Sequence, residues 1–137
     1  MRSLGLDIGG RRIGVAISDA RGACAFPLET LYDLGPGEVR EYVRGKVAEG
    51  VGLVVVGLPL TPSGAEGKQA EVTREYARAL EGLEGVEVVL WDERLSTVEA
   101  RKRLREAGRR GSGWKADAEA AAVILQSYLD GRKSREP

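Results

Sequence analysis

Histidine is absent from the 137 residues, and cysteine occurs once, at Cys24. The first absence removes the commonest general base, and the two together exclude a Cys/His zinc site. Any metal must be held by oxygen, which favours Mg2+ or Mn2+. A single cysteine cannot close an intrachain disulfide. Cys24 falls in an expected strand and reads as a small buried apolar residue. Asparagine is missing as well, and Arg far outnumbers Lys; a thermophile or a biased base composition would each give this. No apolar run is long enough to span a bilayer, and the N-terminus enters a strand without the pattern of a signal peptide. A cytoplasmic protein with no membrane partner is expected.

What is present describes a soluble globular protein, 42% hydrophobic and 31% charged. The length suits one domain, expected over residues 1–131, with 132–137 as a basic C-terminal tail. The net charge is +0, so the whole molecule does not attract polyanions. The charge is unevenly spread, however. Between Arg94 and Lys115 stand eight bases and two acids. A basic patch on a neutral domain is the footprint of a nucleic-acid binder, and equally that of a solvated helix face.

The chain is organised around Leu4–Asp19, LGLDIGGRRIGVAISD. Leu4, Leu6 and Ile8 alternate with Gly5 and Asp7, and Ile13, Val15 and Ile17 alternate with Gly14, Ala16 and Ser18. Two strands joined at Gly9-Gly10 follow, with Asp7 at the end of the first. Gly5, Gly14 and Ala16 leave one face thin, so that a backbone or a ligand can approach. Ala23 to about Leu31 reads as a third strand, with Pro27 marking an edge or a bulge. A helix follows Gly35-Pro36-Gly37, with Val39, Tyr42, Val43 and Val47 at helical spacing. Val51–Gly57 reads as a central buried strand. A second helix is expected over about Lys68–Leu80, with Val72, Tyr76, Ala79 and Leu80 on its apolar side, and a strand over Val86–Trp91. Ser96 and Glu99 form a capping box for a helix to about Ala107. A last helix runs from about Lys115 to Leu129, with alanines that let it lie close to a sheet, and a frayed tail from Gly131. The order is β-β-β-α-β-α-β-α-α. It implies a mixed five-stranded sheet with helices on both faces.

Carboxylates occur at three element ends: Asp7 after the first strand, Asp92-Glu93 after the last, and Asp117 at the start of the last helix. Each has an ordinary structural use, as a turn cap, an ion pair with Arg94, or an acid favoured by the helix dipole. If the first and last strands are near neighbours, the three meet at one edge. Such a carboxylate group without histidine suits hard divalent cations and phosphodiester cleavage. Candidate phosphate contacts are Arg11 and Arg12 in the hairpin turn and Arg94, Arg101, Lys102, Arg105, Arg109, Arg110 and Lys115 in the basic stretch. Trp114 reads as core or staple more readily than as a base-stacking platform.

LGLDIGGRRIGVAISD, VVVGLPLTPSG, WDERLSTVEA and KADAEAAAVILQSYLD, in that order and spacing, resemble the YqgF/RuvX family over nearly the whole chain. The resemblance implies an RNase H-like fold related to the RuvC resolvases. It implies a nuclease acting on the 5′ end of pre-16S rRNA or, alternatively, a Holliday junction resolvase acting on branched DNA. Asp7 and Asp117 match the family's first and last acids. The middle acid lies in Asp92-Glu93, with Glu93 favoured; strand register can reverse that choice. The implied catalytic and metal-holding set is therefore Asp7, Glu93 and Asp117, with Asp92 as the alternate and Mg2+ or Mn2+ as the cation.

A resolvase needs a symmetric dimer for two cuts, whereas an RNA nuclease can be a monomer or a homodimer. A non-catalytic RNA-binding module using Arg101–Arg110 is the third reading. The segment DIGGRRIGVAISD also resembles the phosphate-binding hairpin of actin-like kinases. That fold needs two such domains, and 137 residues hold one.

Overall fold

Alternation near the N-terminus gives an antiparallel meander. The computed structural model describes residues 1–95 and 116–135. In it β1 spans Arg2–Ile8, β2 Arg12–Ser18 and β3 Ala25–Tyr32. Leu4 lies opposite Ile17, Leu6 opposite Val15 and Ile8 opposite Ile13, so large aliphatic pairs cover one face. On the other face Asp7 lies opposite Gly14. β3 is an edge strand with a register shift: Val15 faces Glu29 while Ala16 faces Pro27. Proline has no N–H to give a ladder, and the edge and the bulge both accommodate that.

α1 covers Pro36–Ala48, with Pro36 in the first turn, where its missing N–H costs nothing. The Gly35 N–H donates to the Glu38 carboxylate at 3.0 Å and closes the helix start. β4 (Val51–Leu58) is buried along nearly its whole length, as its valine run predicts. α2 spans Lys68–Leu80, and β5 spans Glu87–Asp92. A 3-10 turn follows at Glu93–Leu95, and α3 runs Ala116–Arg135. The helix expected between Ser96 and Ala107, and Trp114, lie outside the described residues.

The strand order is β3-β2-β1-β4-β5, with β1–β4 and β4–β5 parallel and the other pairs antiparallel. This is the expected mixed five-stranded sheet. One face carries α1 and α2 over Leu4, Leu6, Val15, Val54 and Val56. The other carries α3 over Ala16, Leu53 and Val55, through Ala121, Ala122 and Leu125.

Three local expectations are corrected. Cys24 is exposed and precedes β3 rather than lying in it. The Asp19 carboxylate accepts the N–H groups of Ala23 (2.8 Å) and Cys24 (3.2 Å), and that loop closure delays the strand. Val72 is exposed, because α2 buries Ala70, Thr73, Ala77 and Leu80. Val72 lies roughly 100° around the helix from Thr73. α3 does not stop near Leu129 but continues to Arg135. At Gly131 the Trp91 ring lies where a side chain would begin: a Cβ would stand 3.2 Å from its Cη2. Packing against that ring offsets the propensity cost of about 1 kcal/mol for a helical glycine.

Candidate active site

The side of the sheet that carries α3 also carries the acids, and alternation explains why. Ser3, Gly5 and Asp7 share one face of β1, opposite Leu4, Leu6 and Ile8. A Cβ at Gly5 would stand 2.8 Å from Leu125 Cβ and 3.0 Å from the Ala121 carbonyl oxygen. At Gly14 a Cβ would overlap the Asp117 carbonyl group and lie 3.0 Å from the Ala118 nitrogen. The thin face therefore admits the backbone of α3. Its first turn is pressed onto β2 beside Asp7, and this brings Asp117 to the end of β1.

The third acid arrives over a glycine. Leu6 is level with Val56, and Gly57 with Trp91, so Gly57 separates Asp7 from the end of β5. Its missing side chain leaves a gap that Glu93 fills. A Cβ at Gly57 would stand 2.9 Å from Glu93 Oε1 and 2.6 Å from Ile124 Cδ1. Asp7 and Glu93 are in direct hydrogen-bonding contact, with the Asp117 charge acting on Asp7.

Asp92 turns elsewhere. Val89 and Trp91 pack on the α3 side of β5, whereas Val88 and Leu90 pack on the other; alternation sends Asp92 away from Asp7. Its carboxylate accepts Arg94 Nη2 at 2.8 Å and the Arg94 backbone N–H at 2.9 Å. Arg94 Nη1 also donates to the Pro62 carbonyl at 3.4 Å. The guanidinium thus closes the 3-10 turn from which Glu93 projects, and its charge is matched by Asp92. The Leu95 carbonyl at the end of that turn accepts Ser127 Oγ of α3 at 2.8 Å, and Ser127 accepts Trp91 Nε1 at 3.1 Å.

Of the other candidate residues, Arg12 lies beside the acids, its Nε 3.6 Å from Asp117 Oδ2. Arg11 is paired with Asp33, Nε to Oδ1 at 2.9 Å. Arg101, Lys102, Arg105, Arg109, Arg110 and Lys115 lie outside the described residues. Sequence reasoning placed Gly57 only as the last residue of a buried strand and missed its part in seating Glu93. A glycine inside a buried valine strand was the available signal.

Burial raises the Glu93 carboxyl to about 7, and the charge of Asp7 adds to the effect. Burial also raises Asp7, more than the contact with Glu93 lowers it, and Asp117 raises it further. The pair retains a proton that solvated carboxylates would lose. Among the described residues no three acids are yet gathered closely enough to hold one ion together. Asp7 and Glu93 contact each other, and Asp117 leans towards Arg12. The donor set itself fits a hard divalent cation: oxygen only, crowded negative charge, and partial burial.

The family model matching residues 1–131 is RuvX, described as Holliday junction resolvase. The chain belongs to the RuvX family. A relative from Chloroflexus aurantiacus is 46% identical over 134 residues, covering 96% of this chain and 88% of that protein. One from Anaeromyxobacter sp. is 47% identical over 139 residues, covering 96% of this chain and 98% of that protein. Both carry the name "Putative pre-16S rRNA nuclease". Among solved structures, Thermus thermophilus RuvC in complex with a Holliday junction substrate superposes with a TM-score of 0.66 at 15% identity, over 97% of this chain and 96% of that one. The fowlpox virus Holliday junction resolvase gives 0.58 at 11% identity, over 96% and 99%. The RuvX chain thus has the RNase H-like fold of the RuvC resolvases.

The absence of histidine from this RuvX chain makes one measurement clean. No side chain with an ordinary carboxylate, lysine or arginine pKa titrates between pH 5 and 8. The folded-state values of Asp7 and Glu93 lie above the unfolded ones. Their contribution to stability is therefore complete below the ordinary carboxylate range and is lost as pH rises through about 7. The exposed carboxyls held low by partners, Asp19, Glu66 and Asp92, have the opposite sign, and their effect falls below pH 5. With solvent screening the open side of the site, the cation-free protein should lose about 1–2 kcal/mol from pH 5 to pH 8. That is a fall in Tm of about 5 °C. Thermal melts in chelator would show it. Glu93→Gln should flatten the profile; an equal slope in that variant would assign the effect to other groups.

Proposed function

We propose that this RuvX-family protein is a metal-dependent nuclease of the two-metal-ion type that processes the 5′ end of pre-16S rRNA in the cytoplasm. Its catalytic domain includes the whole of α3, to Arg135. The observation that carries the reading is the contact of Asp7 with Glu93 across Gly57, with the Asp117 charge beside it. Two half-buried carboxylates in contact, with the charge of a third acting on one of them, oppose folding unless a cation or a proton occupies the site. Asp7, Glu93 and Asp117 would hold Mg2+ or Mn2+. When bound, such ions lower the pKa of a water and stabilise the leaving oxygen. Arg12 is placed to contact a phosphate next to the acids, and the basic stretch Arg101–Lys115 supplies further phosphate contacts along the substrate. The name carried by relatives at 46–47% identity supports RNA as the substrate.

The second reading, resolution of Holliday junctions, is favoured by the family description and shares the same chemistry. It requires a homodimer presenting two sites, whereas rRNA processing can be done by a monomer. The two are separated by offering the purified protein precursor 16S RNA and a four-way DNA junction, each with Mg2+ or Mn2+ and with chelator. The expected result is cation-dependent cleavage of the RNA to the mature 5′ end, with the junction left intact. Paired symmetric nicks in the junction and uncut RNA would transfer the protein to the resolvases. Tight, salt-sensitive RNA binding with no cleavage of either substrate would make it a binding module.

A further inference from the structure

The connection between β4 and α2 reaches the end of β1 where the ladder gives out. The Ser3 N–H donates to Ser18 Oγ at 2.8 Å and the Gly9 N–H to the Arg12 carbonyl at 2.9 Å. The backbone groups of the odd-numbered residues of β1 therefore point to β2, and those of Leu4, Leu6 and Ile8 point to β4. The parallel ladder ends at Leu6–Val56, one residue before Asp7. Continued at that register, it would bring the Ile8 carbonyl to the N–H of residue 59, and residue 59 is proline. The Ile8 carbonyl accepts Gln69 Nε2 instead, at 2.8 Å. Gln69 lies in the first turn of α2, beside the buried Ala70. The strands part where Glu93 enters over Gly57, and the Gln69 amide holds the end of β1 on that side.

Between Pro59 and Gln69 the chain closes into a braced hairpin. Leu60 bridges Glu66, the Thr61 N–H donates to the Ala65 carbonyl at 2.9 Å, and Thr61 Oγ1 accepts the Ala65 N–H at 3.1 Å. Glu66 accepts Arg74 Nε at 2.6 Å and Nη2 at 2.7 Å, a bidentate pair that ties the hairpin to α2. The tip of the hairpin touches the turn that carries Glu93, because the Pro62 carbonyl accepts Arg94 Nη1 at 3.4 Å. One stiff segment thus grips the residue after Asp7 at one end and the residue after Glu93 at the other. We infer that Gln69 is a positioning residue for the two acids: through this segment its amide sets the separation of Asp7 and Glu93, and with it how well they grip a cation. The inference rests on the nuclease reading for the cation and for cleavage, but not for the separation itself.

Gln69→Met tests it. Methionine keeps the length and the helix propensity of glutamine and removes the donor, so the variant folds with the Ile8 carbonyl released. The control is Thr73→Val, which removes the 3.0 Å bond from Thr73 Oγ1 to the Gln69 carbonyl within α2 and leaves the amide in place. The first readout needs neither cation nor substrate: the carboxyl 13C signals of Asp7 and Glu93. Both should shift in Gln69→Met and stay at their wild-type positions in Thr73→Val. The second is Mn2+ binding by calorimetry, which should weaken about tenfold in Gln69→Met alone. In cleavage the loss should fall on kcat, about tenfold, with KM for the RNA unchanged. Unmoved carboxyl signals in Gln69→Met, equal shifts in Thr73→Val, or full Mn2+ affinity in Gln69→Met would each overturn the inference. A wild-type protein that binds no Mn2+ and cuts no RNA would end the nuclease reading, and the cation-free carboxyl signals would still decide the part of Gln69.

Discussion

Asp7→Asn should lower cation-dependent cleavage by about a thousandfold or more while leaving the protein folded and, at pH 8 without cation, more stable than wild type. The two effects have one cause. Asp7 is half-buried, touches Glu93 and feels the charge of Asp117. Asparagine has nearly the same shape and no charge, so it relieves the repulsion that opposes folding. It also removes an anionic oxygen from the group that would hold the cation. A factor of a thousand corresponds to about 4 kcal/mol of transition-state stabilisation, a reasonable share of what a bound metal supplies. Glu93→Gln and Asp117→Asn should behave alike. Asp92→Asn should not: its carboxylate serves the Arg94 turn, so its loss moves Glu93 without removing it, and a decrease of about tenfold or less is expected. Single-turnover cleavage and melts with and without Mn2+ measure both effects. Cleavage at the wild-type rate by Asp7→Asn would end the nuclease reading. Equal losses in Asp92→Asn and Glu93→Gln would leave the middle acid unassigned.

The legible parts of the chain were those governed by near-neighbour rules. The Leu4–Ile8 and Ile13–Ile17 alternations fixed a hairpin and its two faces, and the valine run fixed β4 as the buried centre. The bounds of α2 agree with the expectation at both ends. What failed depended on side-chain contacts that periodicity does not register, five residues away for Cys24 and forty for α3. Cys24 was drawn out of the third strand by the carboxylate of Asp19, and α3 was prolonged past Gly131 by a tryptophan forty residues earlier in the chain. The choice between Asp92 and Glu93 was open because it turned on which side of β5 faces α3. That is settled by packing of Val89 and Trp91, not by any local preference. The convergence of Asp7 and Asp117 was inferred from element ends. The thin face at Gly5 and Gly14 was read as open to a backbone; that the backbone is the first turns of α3, bringing Asp117, and that Gly57 clears a path for Glu93, was not inferred.

Those glycines give a second large effect, because stability and activity should separate among them. Gly14→Ala puts a methyl group where the Asp117 carbonyl stands. The obstacle is backbone, so the first turn of α3 must lift off the sheet. Overpacking of this kind costs roughly 3 kcal/mol or more. In a chain of this size Tm should fall by about 10 °C. Below that Tm the folded protein should still lose cleavage about a hundredfold or more, because Asp117 is carried away with the helix. Gly57→Ala meets side chains rather than backbone, Ile124 Cδ1 at 2.6 Å, Glu93 Oε1 at 2.9 Å and Glu93 Cγ at 3.1 Å. These can swing aside, so stability should fall by only about 1 kcal/mol, but Glu93 must leave Asp7 and cleavage should fall about as far as in Gly14→Ala. Gly45→Ala, on the exposed side of α1 with nothing within 4 Å, should raise stability by about 0.5–1 kcal/mol and leave cleavage unchanged. If Gly57→Ala kept full activity, the Asp7–Glu93 contact would be incidental to catalysis. If Gly14→Ala melted like wild type, the close seating of α3 on the sheet would be wrong, and with it the route by which Asp117 reaches the site.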